Sequence, residues 1–129
     1  MFNKIILIGN LTRDPEIRYT PAGVAVATVP VATNTRYRQG EELKEETLFI
    51  DAIVFGKQAD TCAQYLSKGQ QVLVEGRLRE RRWEQDGVKK SKFEVIASNV
   101  RFFPKRKEEE SNVEQPEQPP EFESENEPF

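Results

Sequence analysis

The sequence predicts an all-β domain, a five-stranded barrel with one short helix between its third and fourth strands. Three observations predict it. Five stretches rich in β-branched and aliphatic residues are separated by turn signals. Only one short stretch has helical spacing. Strands and helices never alternate as a parallel α/β sheet requires. At 129 residues the chain suits one such domain with a tail, and is short for two separate cores.

The first stretch, Lys4–Thr12, is apolar and β-branched, and Asp14-Pro15 ends it. Its apolar core is too short for a signal peptide, which needs roughly 7–15 apolar residues, or for a membrane helix, which needs about 20. Asn10, Thr12 and Arg13 follow at once, so a buried strand and a cytoplasmic location are expected. Tyr19-Thr20-Pro21-Ala22-Gly23 reads as a turn. The second strand is Val24–Asn34; its Pro30 cannot donate a ladder hydrogen bond and marks an edge, bulge or bend. Thr35–Lys44 is polar and reads as a long hairpin loop, and Glu45–Phe55 is the third strand. In Gln58–Leu66 the residues Ala59, Cys62, Ala63 and Leu66 recur at helical spacing, and Lys68-Gly69 stops the helix. Cys62 reads as a small buried helix residue. Gln71–Trp83 and Lys92–Phe103 are the last two strands, joined through the hairpin signal Gln85-Asp86-Gly87. This order is that of the five-stranded OB barrel.

Composition narrows the chemistry. The chain has no His and one Cys, so no intramolecular disulfide forms and the usual zinc, haem and iron–sulfur ligand sets cannot be assembled within it. Catalysis by Ser-His-Asp or Cys-His is excluded for the same reason. No cofactor, resident metal or catalytic residue is expected. The formal charge of −3 hides an asymmetry. All 19 basic residues lie in residues 1–107 against 13 acids, which leaves +6; residues 108–129 carry nine glutamates and no base. A basic body with an acidic tail suggests a polyanion-binding domain, 1–107, followed by a tail, 108–129, whose composition cannot bury enough apolar surface to order it.

Alternate side chains of a strand share a face. On Gln71–Trp83 the row Val72, Val74, Gly76 and Leu78 suits a core, and the other row is Arg77, Arg79, Arg81 and Trp83. A ring beside a file of guanidinium groups fits a nucleic-acid strand, with charges on phosphates and the ring on a base; a solvated exposed strand is the equal alternative for the arginines alone. On the third strand Leu48, Ile50, Ala52 and Val54 form one row, and Phe49, Asp51, Ile53 and Phe55 the other. Phe49 and Phe55 are either core or ligand platforms. Tyr37 between Arg36 and Arg38 has the composition of a stacking finger. Lys57 and Lys68 flank the helix, and Lys89, Lys90 and Lys92 cluster after the last turn; each suits a phosphate or plain solvent. At about 1–3 kcal/mol per stacked base, four rings supply roughly 4–12 kcal/mol as an upper bound, enough for tight binding without a base-edge code.

The blocks Asn3 to Leu11, Asp14-Pro15-Glu16, Arg18-Tyr19, Phe55-Gly56-Lys57, Ala63 to Leu66, Lys68-Gly69, Val74 to Leu78 and Arg82-Trp83 together resemble the bacterial single-stranded DNA-binding proteins of the replicative type, across nearly all of residues 1–103. The acidic end closing on Pro128-Phe129 is a second resemblance. It implies an OB-fold homotetramer that binds and protects single-stranded DNA, without sequence preference, in replication, recombination and repair at the nucleoid. It implies stacking on Tyr37, Phe49, Phe55 and Trp83, and phosphate contacts from Lys57, Lys68, Arg79, Arg81 and Arg82, to which the strand-face row adds Arg77. Partner replication and repair proteins would dock on the tip, Glu125, Glu127, Pro128 and Phe129. Glu127 stands where the family has an aliphatic residue. Two other readings stay open on the residues: an RNA-binding OB protein, and a carboxylate–Mg²⁺ nuclease, for which Asp51 and Glu75 are the only acids expected on strand faces near the groove.

Overall fold

The computed structural model describes residues 1–104. Its elements are β1 (Ile5–Leu11), β2 (Glu16–Tyr19), β3 (Ala25–Gln39), β4 (Glu42–Phe55), α1 (Lys57–Tyr65), β5 (Gln71–Gln85) and β6 (Val88–Phe102). The sheet runs β1-β5-β6-β4-β3-β2, and a β1–β3 pairing closes its five long strands into a barrel. The five-stranded barrel and the single short helix between its third and fourth strands, β4 and β5, are as expected. The acidic tail of residues 108–129, with Glu125, Glu127, Pro128 and Phe129, lies outside the described residues.

The core is narrow and built from small side chains. Ala25, Ala27, Val29 and Val31 on β3 face Ala52 and Val54 on β4, and Val72 and Val74 on β5 face Val95 on β6; all are buried. A small barrel leaves room for little more than valine. Two glycines let the strands close. A Cβ on Gly9 would press into the Ala32 carbonyl oxygen and come within 2.8 Å of Val31 Cγ1, at the β1–β3 seam. A Cβ on Gly76 would overlap the Ile96 carbonyl oxygen and lie 2.9 Å from Ala97 Cα.

Gly76 lies beside the one irregularity in the β5–β6 ladder. Glu75 pairs with Asn99 and Gly76 with Ala97, so Ser98 is an extra residue on β6. A bulge of this kind shifts the alternation by one. Before it Val95 and Ala97 turn inward; after it Val100 and Phe102 do. The bulge strands backbone groups that need partners, and the Gln58 side chain supplies them. Its Nε2 donates to the Ser98 carbonyl (3.1 Å), and its Oε1 accepts from the Val100 amide (3.1 Å). Gln58 thereby ties α1 to β6, while Ala59, Cys62 and Leu66 plug the end of the barrel. Burial pushes the Cys62 thiol up to about 11.

Three expectations need correction. Thr35–Lys44 is not a loop: β3 and β4 pair without interruption from Val26↔Phe55 to Gln39↔Glu42, and the hairpin turns on Gly40-Glu41 alone. Gly40, at φ 64°, takes the left-handed position such a turn requires. The polar composition reflects an arm projecting past the barrel with both faces wet. The turn expected over Tyr19–Gly23 is preceded by a short strand, β2, whose residues Glu16–Tyr19 pair with β3. The last strand begins at Val88, because Asp86 and Gly87, both at positive φ, form a two-residue hairpin turn. Pro30 falls where β3 passes from β2 to β1, between Thr28 and Val31, where no ladder donor is needed.

Gly76→Ala is expected to cost about 3 kcal/mol of stability, the upper part of the range for overpacking, because its new methyl meets backbone. Urea unfolding checks it; an unchanged midpoint would mean the two strands do not approach this closely.

Candidate nucleic-acid interface

The strands that bury one row of side chains must present the other outward. The register places Val26, Thr28 and Pro30 of β3 beside Phe55, Ile53 and Asp51 of β4. The parallel β4–β6 pairing sets Asp51 and Ile53 beside Glu94 and Ile96. The β5–β6 ladder adds Arg77, Arg79, Arg81 and Trp83, opposite Ile96, Glu94, Lys92 and Lys90. These four strands make one continuous outer face, and across it runs a groove of about 410 Å³. Its lining carries five cations, Arg13, Arg18, Arg79, Arg81 and Lys92, against three acids, Glu16, Asp51 and Glu94. Phe55 and Ile53 supply its apolar wall.

None of the four predicted rings is sealed in the core. Phe49 is 70% exposed, Phe55 45% and Tyr37 39%; Trp83 is half-buried. Phe49, Phe55 and Trp83 belong to the outer face. Tyr37 does not: it pairs with Lys44 and has the parity of Val29 and Val31, so it lies on the other side of the projecting β3–β4 ribbon. The Trp83 ring is covered on one side by Arg81, whose guanidinium carbon stands 4.3 Å from the ring centroid. That is cation–π distance.

The predicted cations are distributed unevenly. Arg77, Arg79 and Arg81 share the outer face. Arg82 falls on the opposite face of β5, where it donates to Glu80 Oε1 (2.8 Å); that hydrogen bond holds the Glu80 carboxyl below its usual range. Lys57 opens α1 and Lys68 follows its other end, both exposed and outside the groove lining. Lys68 donates its amide to Asp14 Oδ1 (2.8 Å). Lys89 and Lys90 join Trp83 around a second depression of about 520 Å³ on the β5–β6 hairpin, while Lys92 is paired with Asp51.

The sequence expectations leave out four charged groove residues, Arg13, Glu16, Arg18 and Glu94. Glu16 and Arg18 arrive there because they lie on β2, paired with β3, and Arg13 lies in the bend between β1 and β2. Glu94 sits in the groove floor, only 3% exposed, and accepts from both Arg79 Nη2 (2.8 Å) and Arg81 Nε (3.1 Å). Its alternation with Lys92 and Ile96 was the available signal. The expectation that Asp51 and Glu75 are the only acids by the groove is therefore wrong. Glu75 is not in the lining; Lys4, by hydrogen bond and charge, holds its carboxyl below the usual range. Among the described residues no group of acids and thiols could hold a metal ion.

A closed OB barrel with rings and cations gathered on one outer face defines a class of ligand-binding β-barrels, and comparison with known proteins narrows it. The chain belongs to the single-strand binding protein family, whose model matches residues 2–103. A single-stranded DNA-binding protein of Treponema pallidum is 48% identical over 101 residues, covering 78% of this chain and 57% of that protein. One from Aquifex aeolicus is 44% identical over 126 residues, 97% of this chain and 86% of its own length. The chain thus spans little more than half of the Treponema relative and most of the Aquifex one. Among solved structures, a Plasmodium falciparum SSB in complex with ssDNA superposes with a TM-score of 0.76 at 34% identity, over 81% of this chain and 96% of that one. A deletion mutant of the Thermus aquaticus single-stranded DNA binding protein gives 0.73 at 36% identity, over 81% and 52%.

Phe49→Ala is expected to change folding stability by less than about 0.5 kcal/mol, whereas Val54→Ala, which empties part of the core, costs roughly 2 kcal/mol. Urea unfolding of the two variants compares them. A large loss at Phe49 would return that ring to the core.

Proposed function

We propose that the chain binds single-stranded DNA by the faces of its bases, without sequence preference, and protects it in replication, recombination and repair. One observation carries this: Phe49, Phe55 and Trp83 turn outward on a single barrel face, whose groove is lined by Phe55 and five cations, in a chain of this family. Rings stack on any base, and cations follow the backbone without reading it. Relatives bear the name single-stranded DNA-binding protein, and a neighbour of like fold is described as a complex with ssDNA. Tyr37 serves as a fourth platform, reached round the ribbon edge. Arg77, Arg79 and Arg81 contact phosphates within the face, and Lys57, Lys68 and Arg82 contact them where the strand leaves it. The protein acts without catalysing a reaction.

The working form is a homotetramer in the cytoplasm, at the nucleoid and the replication fork. Support comes from β1: Ile6 and Ile8 are at least half exposed, and among the described residues that strand pairs over Ile5–Gly9 only with β5, which leaves its other edge open there. An apolar open edge is a template for another strand. The acidic tip recruits replication and repair proteins through Glu125, Glu127, Pro128 and Phe129.

Titration with oligo-dT should quench the single tryptophan, Trp83, and less so at high salt. A duplex of equal length should bind far more weakly, and equal binding would remove the single-strand reading. Trp83→Ala should cost about 1–3 kcal/mol of affinity; no measurable change would take Trp83 out of the site. The gel-filtration mass should be four times the 14.9 kDa chain. Deleting Phe129 should leave oligo-dT affinity intact and abolish capture of a repair exonuclease or helicase, and retained capture would place the dock elsewhere.

A further inference from the structure

Glu94 is a buried carboxylate at the centre of a surface otherwise suited to an anionic polymer. It is only 3% exposed, and both its oxygens are occupied, Oε1 by Arg79 Nη2 and Oε2 by Arg81 Nε. A buried carboxylate this well held is not displaced by a phosphate, since releasing either guanidinium would leave it uncompensated. Arg79 Nε is buried and has no hydrogen-bond partner among the described residues, so the hold of Arg79 on Glu94 is through Nη2. Arg81, gripped at Nε, lays its guanidinium over Trp83 at 4.3 Å. The contacts therefore run in series, from Glu94 to Arg81 to the Trp83 ring.

We propose that Glu94 is a positioning residue for the strand-binding face, with two effects. Through Arg81 it fixes the Trp83 ring, covering one side and leaving the other for a base. It also cancels one of the two guanidinium charges beside it. Arg79 and Arg81 thus meet the backbone as one fixed pair with net charge +1 and several N–H donors unspent. The pair then counts as one phosphate contact rather than two in the salt dependence of binding. The inference rests on the single-strand reading above, but its first half concerns the free protein alone.

The test uses the full chain, with Glu94→Gln and Arg81→Lys. Gln keeps the shape and removes the charge; Lys keeps the charge and removes the planar stacking group. In the absence of DNA, both variants should show steeper acrylamide quenching and lower anisotropy of Trp83 than the parent. With oligo-dT, the slope of log affinity against log salt should become more negative by about 0.7 in Glu94→Gln, one phosphate equivalent on a single strand, and stay at the parent value in Arg81→Lys. Parent-like Trp83 quenching in both variants overturns the positioning claim, and an unchanged slope in Glu94→Gln overturns the charge claim. If Glu94→Gln does not fold, Arg81→Lys still decides whether the guanidinium fixes the ring. Failure of the parent itself to bind oligo-dT would instead refute the single-strand reading, with the quenching comparison still standing.

Discussion

A five-stranded barrel closes only if its strands pass each other with almost nothing between them, and here that contact is made by hydrogen atoms. Gly9 lies against the Ala32 backbone, and Gly76 against Ile96 and Ala97. Beside the second contact, β6 takes in one extra residue, Ser98, and its alternation shifts. Because side chains alternate every residue, such a shift decides which rows are inside. Without it, either Val100 and Phe102 would face water, or Lys90, Lys92, Glu94 and Ile96 would face the core. The outer face bearing the groove therefore depends on a glycine and a bulge near its edge, and on Gln58 bridging the Ser98 carbonyl and the Val100 amide.

Much of this was legible in the residues. The alternation in Gln71–Trp83 separates Val72 and Val74, which are buried, from Arg77, Arg79 and Arg81, which face the groove side. The same reasoning placed Phe49 and Phe55 on one row of β4, though it could not tell whether that row was core. What failed did so for physical reasons. The arms of the β3–β4 hairpin have no core beneath them, so their strands carry charges on both faces and imitate a loop. Cross-strand pairing of Arg36 with Glu45 was the surviving trace. The four residues of β2 are too few to show a period. The shift at Ser98 was written in Val95 and Ala97 followed by Val100 and Phe102, but two residues on each side are a weak pattern. The position of Glu94 beside Asp51 depends on a parallel pairing of strands distant in sequence, which local spacing does not encode.

Formal charge overstates what such a surface offers. Of the cations on or near the outer face, Arg79 and Arg81 hold Glu94, Lys92 holds Asp51, and Arg82 on the reverse face holds Glu80. These pairs differ in how readily they yield. Arg82 and Glu80 are solvated, and exposed pairs are worth little, so a phosphate can replace the carboxylate at small cost. Glu94 is buried and keeps its partners. The Glu94 pair is therefore fixed scaffold on the outer face, and the Arg82–Glu80 pair is exchangeable counter-charge on the reverse one. Arg77, which forms no ion pair among the described residues, retains its full charge.

The chain's single thiol has a use of its own. Cys62 is sealed between α1 and the barrel, and its proton is held well past neutrality. Thiolate chemistry is thereby silenced while the helix is seated. With no second cysteine in the sequence, each labelling event records one departure of α1 from the barrel end. Where reagent is in enough excess that modification outpaces reclosing, its rate gives the frequency with which the thiol is uncovered, by local opening of α1 or by global unfolding.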